Sequence, residues 1–114
     1  MQSPTSRFFA LVATALWATA AVQAYEITAW SGAACSGIEV GFIEGPDTLN
    51  GLSGAEETPN GSCVTFDQAL PGNCDLYLCA DAACNDQGVT IEGPRDAGTR
   101  EPDQSFAGIQ VGCQ

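Results

Sequence analysis

Ile-Glu-Gly-Pro occurs twice in this chain, at Ile43 to Pro46 and at Ile91 to Pro94, and no other feature limits its possible folds as much. The echo extends on both sides. Ala-Ala-Cys ends at Cys35 and again at Cys84, 49 residues on, and the two tetrads stand 48 apart. TPNGSCVTF (Thr58 to Phe66) then lies on EPDQSFAGI (Glu101 to Ile109) at 43, matching Pro59 to Pro102, Asn60 to Asp103 and Ser62 to Ser105. Three matches in one order, with an offset that shrinks along the chain, read as an internal duplication. The copies are residues 25–70 and 74–114, with one loop shortened in the second.

Each copy has the local pattern of strands. YEITAW sets Tyr25, Ile27 and Ala29 against Glu26, Thr28 and Trp30, and IEVGFI sets Ile38, Val40 and Phe42 against Glu39, Gly41 and Ile43. This period of two is that of a half-buried strand. The small residues Ser31 to Gly37 between the two runs predict a hairpin turn. In the second copy DLYLC and GVTIE flank Ala80 to Gln87, with Leu76 and Leu78 on one face and Val89 and Ile91 on one face. After each hairpin Gly-Pro opens a long acidic loop, and a last strand follows, SCVTF or SFAGIQV. No stretch sustains a helical period, so the class expected is all-β.

The first 24 residues have the three-part layout of a cleaved signal peptide: Arg7, an apolar run from Phe8 to Val22, and Val22-Gln23-Ala24. A run of about 15 residues, much of it alanine, is short of the roughly 20 that span a bilayer. Residues 25–114 are then one secreted, extracellular domain whose thin hydrophobic core needs help. Six cysteines, Cys35, Cys63, Cys74, Cys79, Cys84 and Cys113, supply it as a disulfide framework. There is no histidine and no CxxC pair, which argues against zinc. Fourteen carboxylates face three arginines, with no lysine, for a net charge of −11. Such a surface repels nucleic acid and anionic lipid and keeps a secreted protein soluble and monomeric.

The hairpin with an aromatic residue, then a large residue and a glycine, followed later by a serine that opens a strand, resembles the Greek-key motif of the βγ-crystallin superfamily. Trp30, Cys35, Gly37 and Ser62 fall at its positions in the first copy. In the second, Cys79, Cys84 and Ser105 match by position, with both aromatics gone and Asp86 in place of the glycine. The cysteine-rich, acidic character also resembles fungal small secreted cysteine-rich proteins, a grouping that includes candidate effectors. The resemblance implies a small disulfide-stapled β-sandwich of two Greek-key motifs. It also implies a positive φ at Gly37, a Ser62 side chain that bonds the turn, and Trp30 over that turn. Cys79 and Cys84 flank the four-residue tip Ala80 to Ala83 and can close it in place of the missing aromatic. The remaining four cysteines can pair in three ways, with Cys35 to Cys63 and Cys74 to Cys113 preferred.

Candidate chemistry is sparse. Without histidine or a free thiol the usual hydrolase nucleophile and base pairs are missing. Glu56 with Glu57, or Glu101 with Asp103, are the available carboxylate pairs for glycoside hydrolysis, and in Gly/Pro-rich loops they read as solvated charge. The family's calcium positions are only half kept, at Asn60 and Asp103, so no metal or other cofactor is expected. Asn60-Gly61-Ser62 is an N-glycosylation sequon, or equally a plain turn. The expectation is a non-catalytic extracellular interaction or effector-like protein with an unknown partner. One alternative is an antimicrobial or killer-toxin-like protein, a role the crystallin resemblance admits. Another is a small protease inhibitor presenting Arg95 or Arg100 from the loop Gly93 to Glu101.

Overall fold

The computed structural model describes residues 24–46 and 49–114, so the leader expected at 1–24 lies, but for Ala24, outside them. Nine strands follow in order: β1 (Tyr25–Gly32), β2 (Ser36–Gly45), β3 (Gly51–Leu52), β4 (Glu56–Gly61), β5 (Cys63–Gln68), β6 (Cys74–Cys79), β7 (Val89–Glu92), β8 (Thr99–Arg100) and β9 (Phe106–Cys113). No helix occurs among the described residues.

The strands form two antiparallel sheets. Sheet I runs β2-β1-β5-β8, and sheet II runs β7-β6-β9 with β3 and β4 both on the far side of β9. In each sheet a hairpin comes first, then the closing strand of the same half, then a strand lent by the other half. From the first half β3 and β4 cross to sheet II while β5 returns beside β1, and from the second β8 crosses to sheet I while β9 returns beside β6. A Greek-key path explains why the long loops are there. Each must carry the chain over the edge of the core and back.

Period-two alternation fills that core. Tyr25, Ile27 and Ala29 from β1, Val64 and Phe66 from β5, Leu76 and Leu78 from β6, and Phe106, Ile109 and Val111 from β9 are buried in one cluster shared by both sheets. Leu70 from the connection between the halves is fully enclosed with them, its backbone paired in both directions with Arg95. Full burial of side chains this large stabilises by roughly 1.5–3 kcal/mol each before entropy is counted.

In β2 the alternation departs from expectation. Ile43 is the inward residue and Phe42 and Ile38 are exposed, Ile38 by 70%, while Val40 is partly buried against the core. The cause is a pair of register shifts against β1, on either side of Trp30. They lie beside Gly41, where a Cβ would stand 2.6 Å from the Thr58 methyl of β4. Beta-bulges of this kind re-aim side chains in a way that simple alternation does not encode.

Three disulfides clamp the sandwich. Cys74 is bonded to Cys113, its register partner on β9, so this bridge ties two central strands of sheet II. Cys35 is bonded to Cys63, tying the β1-β2 tip to the start of β5, and Cys79 to Cys84, closing the tip that leads to β7. No free cysteine remains among the described residues.

Candidate functional site

The residues singled out in the sequence gather around the tip of the first hairpin. Its turn runs in left-handed backbone conformations at Ala34, Cys35 and Gly37, with φ of 58°, 55° and 80°. Holding two non-glycine residues there carries a steric cost that tertiary bonds must offset. The Cys35 to Cys63 bridge is one such bond. Another is the Asp103 carboxylate, which accepts the Ala34 N–H at 2.9 and 3.2 Å. Within the hairpin Ser31 Oγ accepts the Ile38 N–H at 3.2 Å and the Ser36 hydroxyl donates to Ala33 O at 2.6 Å.

Two side chains therefore sit differently from the expectation raised by the family resemblance. Ser62 meets the hairpin through its backbone N–H, which donates to Trp30 O at 2.8 Å, and the side-chain acceptor at the tip is Asp103. A carboxylate on a loop reaches farther than a serine fixed next to a strand and makes a stronger bond to an N–H. Trp30 extends toward β5, its indole N–H donating to Thr65 Oγ1 at 3.0 Å. Thr65 and Thr28 hydroxyls in turn bond Asp67, at 3.4 and 2.5 Å, so the outer side of sheet I carries a connected polar network.

Asn60, Ser62 and Ser105 come together with Ser31, Gly61, Asp103 and Gln104 around one open depression of about 370 Å³. The two segments aligned by sequence face each other across it, joined by the Gln104 N–H on Ser62 O at 2.9 Å. Asn60 is exposed with φ of 57°, a conformation asparagine tolerates, so the sequon stands where a glycan has room. The lining offers amides, hydroxyls and a single carboxylate. That carboxylate is engaged with Ala34 and, at 3.7 Å, with Arg100.

The second hairpin tip holds itself. Asp81 accepts the Asp86 N–H at 2.9 Å and the Asn85 N–H at 3.1 Å. Those bonds, with Asp86 first, draw the Asp81 carboxyl below the usual aspartate value. The tip folds back over sheet II closely enough that a Cβ at Gly108 would lie 2.6 Å from Asp81 O and 2.9 Å from Ala82 O.

The remaining candidates are dispersed. Glu56 and Glu57 are neighbours in β4, so their side chains leave on opposite faces and do not converge on one substrate atom. Glu101 is bonded to Arg95 at 3.0 Å. No group of three or more His, Cys, Asp or Glu able to hold a metal exists among the described residues. Arg95 is fixed by Glu101 and by its backbone pairing to Leu70, and Arg100 by β8 pairing and by Asp103. Both arginine side chains stay partly open to solvent, Arg95 by 40% and Arg100 by 49%.

Sequence reasoning missed Asp81 and Asp103 as the latches of the two tips. An Asp inside a turn is a signal for the first, since its side chain bonds N–H groups a few residues on. Nothing local signals Asp103, whose partner is in the other half of the chain. No family model, no curated protein and no solved structure matches this chain.

Proposed function

We propose that the protein is a secreted, non-catalytic binding protein, a crystallin-like double Greek key that arose by duplication of one unit and works outside the cell as a monomer. The observation that carries the reading is the closed set of three disulfides on a small two-sheet core, a construction suited to oxidising surroundings where chaperones and reductants are absent. Two further features support it. The depression around Asn60, Ser62 and Ser105 is polar without pairing a nucleophile to a base, and the acidic surface disfavours the membrane-active toxin reading. No helix among the described residues is long and apolar enough to cross a membrane.

The test is expression of the full chain in a secreting eukaryotic host. The medium is expected to contain a protein that begins at Tyr25, has no titratable thiol, and turns over no peptide, ester or glycoside substrate above blank. A chain retained in the cell, a product with free thiols, or turnover that survives purification contradicts the reading.

A further inference from the structure

We propose that the outer face of sheet II carries a binding subsite for one neutral pyranose ring, built by Leu52, Asp75, Tyr77 and Gly112. These residues belong to the lining of a depression of about 200 Å³, separate from the one at the first hairpin tip. Its origin is in the strand alternation. Leu76 and Leu78 point into the core, so Asp75 and Tyr77 point out, and Val111 and Cys113 do the same for Gly112 on β9.

Gly112 has no side chain, and that absence lets the floor form. A Cβ there would stand 3.0 Å from a Tyr77 ring carbon, 3.2 Å from the Tyr77 hydroxyl and 3.0 Å from a Leu52 methyl. The tyrosine ring and the leucine thus converge over bare backbone into one apolar surface. Leu52 is 56% exposed, so part of its side chain is open to a ligand at this surface. Above Gly51, which also lines the depression, the space is open.

Around the floor stands a polar rim. Asn73 donates its side-chain N–H to Gln114 O at 3.2 Å and accepts the Gln114 N–H at 3.0 Å, which fixes that wall. The Asp75 carboxylate and the Tyr77 hydroxyl make no side-chain bond among the described residues and so remain available.

A pyranose has the matching chemistry. One face is rich in C–H and packs on an aromatic ring, while its equatorial hydroxyls both donate and accept. A carboxylate accepts from such hydroxyls and a phenol does both. The net charge of −11 selects against uronic, sialylated or sulfated sugars. The volume is below that of sites that enclose drug-sized ligands, so the subsite takes one ring of a longer glycan at its surface.

The inference rests on reading the protein as a binding protein. It is tested by amide chemical-shift titration of the mature, oxidised protein with cellotetraose, laminaritetraose and chitotetraose, with tetragalacturonate as the anionic control. At least one neutral tetrasaccharide is expected to shift the Leu52, Asp75, Tyr77 and Gly112 amides saturably. The Tyr77→Ala variant is expected to lose about tenfold in affinity. Tyr77→Phe keeps the stacking ring but loses the hydroxyl, so it should bind more weakly than the parent and more tightly than Tyr77→Ala, and for both variants parent-like amide shifts away from the depression are the folding control. The proposal is overturned if no neutral tetrasaccharide moves those amides, if tetragalacturonate moves them as much, or if Tyr77→Ala titrates like the parent. Any of these results with secretion and full oxidation intact removes the ligand class and leaves the binding-protein reading. Retention in the cell or free thiols would count against that reading itself.

Discussion

At the scale of single residues the two hairpin tips are held by different means, and the difference is testable. Asp103→Ala removes an acceptor for the Ala34 N–H and an ion-pair partner of Arg100. It is expected to cost about 1 kcal/mol, since the site is partly exposed, with Asp103→Asn recovering part of that in thermal melts. Gly108→Ala places a methyl against the Asp81 and Ala82 carbonyls, both backbone atoms that cannot swing away. A loss of roughly 1–3 kcal/mol is expected, read from chemical denaturation. Asp81 adds a pH dependence of known sign. Its folded pKa is lowered by the Asp86 and Asn85 N–H groups, so its contribution is present above the ordinary aspartate value of 3.8 and is lost as the pH falls through the lower folded value. Following the Asp81 carboxyl carbon by NMR should show titration below 3.8, and titration at or above it would contradict the bonding described.

At the scale of elements the exchange of strands and the bridges together set the stability. Closing loops of 28, 39 and 5 residues removes unfolded-state freedom worth about 3.6, 3.9 and 2 kcal/mol in the chain-entropy account. Paired Cys→Ala replacement should therefore lower the melting temperature most for Cys74 with Cys113 and for Cys35 with Cys63, and least for Cys79 with Cys84. An inverted order would show that strain or residual structure dominates. The strands themselves were legible wherever the alternation is regular, as in Tyr25, Ile27 and Ala29 or Leu76 and Leu78, because there burial follows parity alone. They were not legible at Phe42 and Ile43, where register shifts around Trp30 reverse the inward face. A bulge depends on what lies across the core, here Thr58 against Gly41, and a local pattern does not contain that neighbour. The site shows the same limit. Asn60, Ser62 and Ser105 were found through the repeat, while Asp103 as a latch and Tyr77 with Leu52 as a surface depend on contacts between segments far apart in sequence.

At the scale of the whole molecule, a net charge of −11 on a chain this small makes self-repulsion a standing cost. Raising the salt concentration at neutral pH screens it, so the melting temperature should climb with sodium chloride, and a flat response would mean that the carboxylates are too dispersed to matter. The organising claim is that each sheet is completed by a strand of the other half: β8 on β5, and β3 with β4 on β9. The shared core and the position of both depressions follow from that crossing, while each disulfide stays within its own half. Inter-strand nuclear Overhauser contacts in the oxidised protein measure it most directly. The account predicts backbone contacts joining Phe66 to Thr99 and Ile109 to Glu56. Contacts that instead seat β8 beside β9, or β4 beside β5, with those two pairs silent, would contradict it.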